Sequence, residues 1–504
     1  MTQTNLSHRL SAQDAMFLYT EQEDAPMNIG SVAIFQGEIP YERFVKNLEE
    51  KLHLIPRYRQ RAIPAPFNIA HPTWEFDPAF NIRKHVIPVR LEPPGNEDQL
   101  RELAARLFQG MLNRDKALWE IYLVHGLEGD RSALVSKVHH CLVDGVSGIE
   151  LLMVVLDVSP DPPSPQSEPY EPPPIPDAAS RFSDALFDRL ADGLKATADI
   201  QKTLLNTLDN PASLRSMRRA LETALPYFLR PGQRAPFNTS FSGDRKLAWS
   251  ECSFQEVRAI RKAAGGTVND VVLAMPGGAL SRYYEAHGLD TEGKDARVLT
   301  PVNVRREDER GSLGNRITML LVEVPLGLRD PIERLNVVHE RTESLKRNHV
   351  ADGMELASDS LSNLPPMLQA MLGDLPTPPN TVANLVCTNI PGPMIPIYSV
   401  GHLLEAHYPL VPIAWEMGVG CAVTSYNQKL YFSLIADAKA APDVDRLGDF
   451  LRQSYVELRA AAGVTTTEAT KAADDVAAAE TEARPKSRGR AAPAKEQPLA
   501  ADAG

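Results

Sequence analysis

The chain predicts a mixed α/β protein in two halves, and three observations carry that reading. Residues 10–130 interleave helical and strand signals, and a second mixed region runs from about Asn238 to about Ala461. Between them, residues 159–176 hold nine prolines, a density that excludes regular helix and sheet and marks a linker. The 504 residues are 43% hydrophobic, enough apolar material for two or three cores. The expected divisions are a first domain over 1–158, a linker with connecting helices over 159–237, a second domain over 238–464 and a tail over 465–504.

Taken in order, Ser31 to Phe35 reads as a strand and Tyr41 to Leu54 as an amphipathic helix. A second helix runs from Asp98 to Leu112, with Leu100, Leu103 and Leu107 near helical spacing. Glu120 to Val124 and Ala133 to Val138 flank Gly126–Asp130 and form a hairpin. From Asp177 to Arg230 the pattern is helical with gaps. Phe182, Leu186, Leu190 and Leu194 recur every four residues, and Leu214 to Leu225 mixes Arg215, Arg218 and Arg219 with leucines before Pro226.

In the second half Gly265-Gly266 is a turn. Val268 to Leu280 is a helix capped by Thr267 or Asn269, interrupted by Pro276-Gly277-Gly278, where a kink is expected. Arg297 to Val304 and Ile317 to Val324 are strands. Pro331 to Lys346 is a helix with its proline in the tolerated first turn. Cys421 to Tyr426 and Lys429 to Ala436 pair around Asn427-Gln428, and Asp443 to Ala460 closes the region as a helix. The tail has almost no bulky apolar side chains and should be disordered.

The densest chemistry is His139-His140-Cys141-Leu142-Val143-Asp144-Gly145. A strand, Ser132 to Val138, runs into it. Ser147 and Glu150 form an S-x-x-E capping box after it. Strand side chains alternate faces, so the two histidines should have different jobs, one toward the core and one toward a cleft. An imidazole titrates near neutrality and is a candidate general base. Asp144 either holds the loop through its carboxylate or caps the following helix. Gly145 frees the backbone at a tight turn. Diverging histidines with no cysteine or carboxylate cluster beside them do not make a metal site. Gly145-Val-Ser147-Gly148 is not a G-x-S-x-G elbow, and no Walker A or complete dinucleotide fingerprint occurs.

The motif resembles the H-H-x-x-x-D-G signature of the CoA-dependent acyltransferase superfamily, and most of all that of the bacterial wax ester synthase/diacylglycerol acyltransferases. Leu118-Trp119-Glu120, Gly265 to Val272, Pro301-Val302-Asn303-Val304-Arg305 and Thr388 to Pro393 match further family stretches in the family's order. The resemblance implies two chloramphenicol-acetyltransferase-like domains, each a mixed sheet flanked by helices, facing each other across a substrate tunnel. It also implies His140 as general base, His139 as a structural neighbour, Asp144 and Gly145 as keepers of the loop, and Asn269 and Asp270 as a second motif near the site. Asn269 reads equally as a helix cap, and Trp119 reads as a core tryptophan. Ala117 stands where the family usually has proline. Thr388, Asn389 and Ser425 are the candidates for an oxyanion donor.

By the same resemblance the substrates are a long-chain acyl-CoA and a fatty alcohol or diacylglycerol, with no cofactor. Two rival readings are a superfamily enzyme with a polar or carrier-bound acceptor, and a non-catalytic lipid-surface protein, against which the intact motif counts. The net charge of −12 argues against nucleic acid as partner. Four scattered cysteines fit a reducing compartment. With no signal peptide and no long apolar run, the expected location is the cytoplasm, peripherally on a membrane or lipid-inclusion surface. The arginine-bearing Leu214–Arg230 stretch has the composition of an interfacial segment. Oligomeric state is not legible.

Overall fold

Among the described residues, two six-stranded mixed sheets carry the fold. The computed structural model describes residues 8–142, 154–162, 177, 179–187, 232–303, 317–347, 350, 364–373 and 382–465. Several sequence expectations lie outside those residues: Asp144, Gly145, the Ser147/Glu150 capping box, most of the proline-rich segment, the helical signals beyond 187 including Arg215, Arg218 and Arg219, Val304 and Arg305, and the tail.

The first sheet has the order β11-β12-β1-β6-β5-β4. Its strands are β1 (Asn28–Gln36), β4 (Val86–Arg90), β5 (Trp119–Leu127), β6 (Arg131–His139), β11 (Tyr398–Ser399) and β12 (His402–Leu410). A small hairpin, β2 (Gln60–Ile63) with β3 (Thr73–Phe76), stands apart. β5 and β6 form the expected hairpin, and Gly129 and Asp130 turn it with positive φ. Gly126, also at positive φ, sits where the register slips between Val124 and Leu127. β1 pairs antiparallel with β6 on one side and with β12 on the other. A strand from late in the chain thus closes onto one of the earliest.

The helices packed with this half include α1 (Ala12–Thr20), α2 (Tyr41–Lys51) and α3 (Glu97–Phe108). Asn96 and Gln99 form a reciprocal capping box on α3. α3 stops at Phe108 rather than at Leu112, because Gln109 is extended and Gly110 takes φ 79°. The break frees two carbonyls: that of Gln109 accepts from Lys137 Nζ, and that of Gly110 from Asn28 Nδ2.

The second sheet has the order β7-β14-β13-β10-β8-β9. It comprises β7 (Arg245–Ser253), β8 (Asp295–Asn303), β9 (Ile317–Pro325), β10 (Leu385–Ile390), β13 (Val419–Tyr426) and β14 (Lys429–Asp437). The β13–β14 hairpin turns on Asn427 and Gln428, both at positive φ, as a two-residue loop between twisted strands requires. The helices are α4 (Phe254–Ala264), α5 (Val268–Ala286), α6 (Pro331–Arg347), α7 (Pro366–Gly373) and α8 (Val444–Ala461). Fold class is therefore as expected, a mixed α/β chain with helices on mixed sheets.

Helix α5 is longer than expected, ending at Ala286 and not at Leu280. It runs through Pro276 to Ala286 without interruption and is buried on all sides from Asp270 to Leu280. A Cβ on Gly277 would come within 2.3 Å of Val324 Cγ1, and one on Gly278 within 2.3 Å of Ser454 Oγ. The glycines let β9 and α8 close on the helix, and that packing outweighs the hydrogen bond proline removes. Trp119 is fully buried, and its Nε1 donates to the Tyr58 carbonyl at 2.7 Å, a core role. Among the described residues no helix is long and apolar enough to cross a membrane.

Candidate active site

β6 ends at His139, which pairs with Asn28 of β1. The chain then tightens into a turn over His140–Leu142. Two backbone bonds hold this corner: the His139 amide donates to the Leu118 carbonyl at 3.0 Å, and the His140 amide to the Met27 carbonyl at 2.8 Å. The two rings diverge from there into different surroundings.

His139 is fully buried. Its Nδ1 accepts the Cys141 amide proton at 3.1 Å, which places the ring proton on Nε2. That nitrogen lies 3.4 Å from Oε1 of Glu21, whose side chain has no solvent exposure. Glu21 also accepts from the Met27 amide at 3.0 Å and from Arg114 Nη2 at 2.8 Å. Burial alone would raise the Glu21 pKa. The contacts with His139, Arg114 and the Met27 amide outweigh burial and hold it below the usual carboxylate range. The corner therefore rests on a buried, charged carboxylate.

His140 lies flat against Phe17 of α1, with ring centroids 3.8 Å apart and planes 12° from parallel. Its Nδ1 is buried without a hydrogen-bond partner. Burial, followed by the neighbouring His139, lowers its pKa from 6.5 to about 4, so the ring is neutral at pH 7. One helix thus braces both histidines, α1 through Phe17 and the residue that ends it through Glu21.

At the start of α5, Gly265 and Gly266 turn the chain with φ near 85°. Thr267 is the helix cap, so Asn269 is not. Thr267 and Asp270 bond reciprocally, with Thr267 Oγ1 accepting from the Asp270 amide and Asp270 Oδ2 accepting from the Thr267 amide. Asp270 Oδ2 also accepts from Thr267 Oγ1 at 2.8 Å and lies 2.9 Å from His339 Nδ1, while Oδ1 accepts from Thr342 Oγ1 at 2.7 Å. Burial raises the Asp270 pKa, but these donors outweigh it and the carboxyl stays below its usual range. Asp270 ties α5 to α6. Asn269 instead faces β10, where its Oδ1 accepts from Asn389 Nδ2 at 3.4 Å.

The structure thus joins His139, His140, Glu21 and Phe17 in one corner and Asn269, Asp270, Asn389 and His339 in another. Among the described residues no hydrogen bond or ion pair links the two corners. Of the oxyanion candidates, Ser425 Oγ accepts from the Gly392 amide and Asn389 is bonded to Asn269, while Thr388 Oγ1 is buried without a partner. Sequence reasoning missed Glu21 and Phe17. Their one local signal is the Ser11 cap of α1, whose hydroxyl accepts from the Asp14 amide.

Residues 10–272 match the wax ester synthase/diacylglycerol acyltransferase catalytic domain, and 313–459 match the C-terminal domain of the same family. The chain belongs to the wax ester synthase/diacylglycerol acyltransferase family. It is an acyltransferase. Two Mycobacterium tuberculosis proteins, each named a probable diacylglycerol O-acyltransferase, are similar to this family member. One is 29% identical over 473 residues, covering 90% of this chain and 98% of the relative. The other is 28% identical over 463 residues, covering 90% and 96%. The solved wax ester synthase/diacylglycerol acyltransferase from Marinobacter aquaeolei VT8 is similar at a TM-score of 0.62 and 25% identity, covering 90% of this chain and 100% of that one. The first condensation domain of the calcium-dependent antibiotic synthetase shares the fold, at a TM-score of 0.55 and 15% identity over 92% of this chain and 98% of its own.

Proposed function

We propose that this acyltransferase moves a long acyl group from acyl-CoA onto the hydroxyl of a fatty alcohol or a diacylglycerol, with His140 as general base. The observation that carries the reading is the state of His140: a neutral imidazole, its ring fixed flat by Phe17, on a residue that is only half-buried. Such a ring accepts the alcohol proton as the oxygen attacks the thioester carbonyl. The C–O bond forms, the C–S bond breaks, and the imidazolium returns its proton to the departing CoA thiolate. No covalent enzyme intermediate and no cofactor is needed, because a thiol is already a good leaving group.

In this reading the other residues position. Glu21 and the Cys141 amide fix the His139 ring, and His139 in turn fixes the turn that presents His140. Asp144 and Gly145 hold the loop that follows. Asn269 and Asp270 set the start of α5, with Asp270 acting through its bonds to Thr267, Thr342 and His339. Acceptors this apolar bring the enzyme to a lipid surface, peripherally. The test is a panel assay with radiolabelled palmitoyl-CoA against hexadecanol, dioleoylglycerol and a small amine. Ester formation with the first or second, lost in His140→Ala, is the expected result. Product only with the amine would replace the reading by one with a polar acceptor.

A further inference from the structure

The chain has four tryptophans. Trp74, Trp119 and Trp249 are buried, whereas Trp415 is 46% exposed. It lies in a four-residue turn closed by the Met417 amide, which donates to the Ala414 carbonyl at 2.9 Å. Both central residues take positive φ, Trp415 at 51° and Glu416 at 57°. That backbone suits Asn and Gly. A tryptophan there costs conformational energy that the surroundings must offset. Glu416 supplies the fastening. Its carboxylate accepts from Arg234 Nη2 at 2.8 Å, and its carbonyl accepts from Asn238 Nδ2 at 3.0 Å. Asn238 is buried and also donates to the Asn384 carbonyl, just ahead of β10. The turn is therefore held firmly, yet among the described residues no hydrogen bond or ring contact engages the indole.

The turn joins two surfaces. At its first residue, Ala414 packs with Ala25 and Met27 in a cluster that Phe17 borders. Phe17 is the ring that lies against His140, and the Met27 carbonyl holds the His140 amide. At its last residue, Met417 packs with Leu321 and Ala383, bordered by the partly buried Leu299 and Val386. Val386, Leu299 and Leu321 are in register across β10, β8 and β9, so they point to one face of the second sheet. The alternate residues Leu385, Val298 and Leu320 point the other way and pack with α5. The Leu299 row thus lies on the face away from α5, and Trp415 stands between it and the His140 corner.

We propose that Trp415 is a specificity residue for the acyl donor: its indole directs the acyl chain of the thioester onto the row of Leu299, Leu321 and Val386 and leaves the carbonyl beside His140. This rests on the acyl-CoA reading above. Every version of that reaction brings one acyl chain, whereas the acceptor changes from a fatty alcohol to a diacylglycerol. A row fixed by strand register, headed by a turn fixed at Glu416, suits the partner that stays the same. The row carries no charge and no hydroxyl, so it offers an alkyl chain dispersion contacts and offers a polar headgroup nothing.

The test uses the full chain, with butyryl-, octanoyl- and palmitoyl-CoA against hexadecanol, and with palmitoyl-CoA against butanol, octanol and hexadecanol. Trp415→Ala should lower kcat/KM for palmitoyl-CoA about tenfold, chiefly through KM, with a smaller loss at each shorter acyl chain. Trp415→Phe should recover most of it. Leu299→Trp fills the row and should cut palmitoyl-CoA more than butyryl-CoA. Trp415→Gly removes the backbone strain, so it should melt no lower than the parent and still show the loss. A binding readout stands apart from turnover: the thioether S-hexadecyl-CoA should shift the tryptophan fluorescence of the parent to the blue, and Trp415→Phe should lack that shift. No loss, or a loss equal at all acyl lengths, would overturn the proposal. So would a changed alcohol series with an unchanged acyl series, which would give the row to the acceptor. A parent that shows the Trp415-dependent blue shift but esterifies no alcohol would overturn the acyltransfer reading and leave the acyl row standing.

Discussion

The corner at the end of β6 and the corner at the start of α5 both set polar residues beside a turn, and they spend their hydrogen bonds differently. At α5 every oxygen of Asp270 is engaged by Thr267, Thr342 or His339. At β6, His139 has no free acceptor, since Nδ1 accepts from the Cys141 amide and the protonated Nε2 faces Glu21 at 3.4 Å without closing a hydrogen bond, while His140 keeps Nδ1 unpartnered. A saturated group has no capacity left for a substrate proton, whereas a fixed, neutral and unsaturated one does. The contrast separates residues that hold the structure from the residue that can do chemistry.

The sharpest way to break that contrast is His140→Ala. Turnover should fall by about 10²–10⁴, the usual contribution of a general base, with the melting temperature unchanged. His139→Ala should lower both stability and turnover. If His139→Ala lost more turnover than His140→Ala at equal foldedness, the two roles would be reversed.

Next in size is Glu21→Gln. It leaves the part-exposed Arg114 and the His139 Nε2–H without their carboxylate, so the loss of stability should be about 1–3 kcal/mol by urea titration. Turnover should fall too, and kcat more than KM, because the substrate does not touch Glu21. A well-folded Glu21→Gln with parental kcat would show that the His139 ring needs no carboxylate.

Asp270→Asn should act mainly on stability, by about 1–3 kcal/mol, since it removes an acceptor from three donors. The Asp270 pKa is lowered in the fold, so its contribution is present above the unfolded carboxyl range and is lost as pH falls through the folded value. The acid side of the stability curve should therefore flatten in Asp270→Asn.

His140 adds to this acid sensitivity in the same direction. Between pH 6.5 and about 4 the unfolded chain takes up a proton that the folded ring refuses, so this residue tilts the balance toward unfolding as pH falls. The acid limb of kcat/KM should lie near pH 4. A limb near 6.5 would mean that the ring sits in water. The smallest expected effect is that of deleting residues 465–504, which hold too few apolar side chains to join a core; melting temperature and activity on a soluble alcohol should be unchanged.

Local pattern and turn chemistry made the two hairpins legible, and Asn427-Gln428 and Gly129-Asp130 sit where the spacing put them. The histidine corner was legible because its residues are contiguous. Glu21 was not, because it lies 118 residues before His139 and nothing about a lone glutamate after a short helix announces a buried partner. The far end of α5 was not legible, because Pro276-Gly277-Gly278 weakens the helical pattern and the packing that carries the helix on to Ala286 comes from β9 and α8. β12 carries the mixed sequence His402–Leu410, and which sheet it would join depends on distant partners rather than on its own pattern.

That strand has a consequence for how the molecule comes into being. β1 gains its second neighbour only when residues 402–410 exist, after more than three-quarters of the chain has been made. Until then one edge of β1 carries unpaired backbone donors and acceptors, a template for pairing with another chain. Synthesis outpaces nothing here: the first sheet must wait on the ribosome for its outermost strands, and the contacts that complete it span most of the polypeptide. Such long-range closure is slow, and folding of this enzyme should be limited by the arrival of β12 and not by the hairpin that bears its histidines.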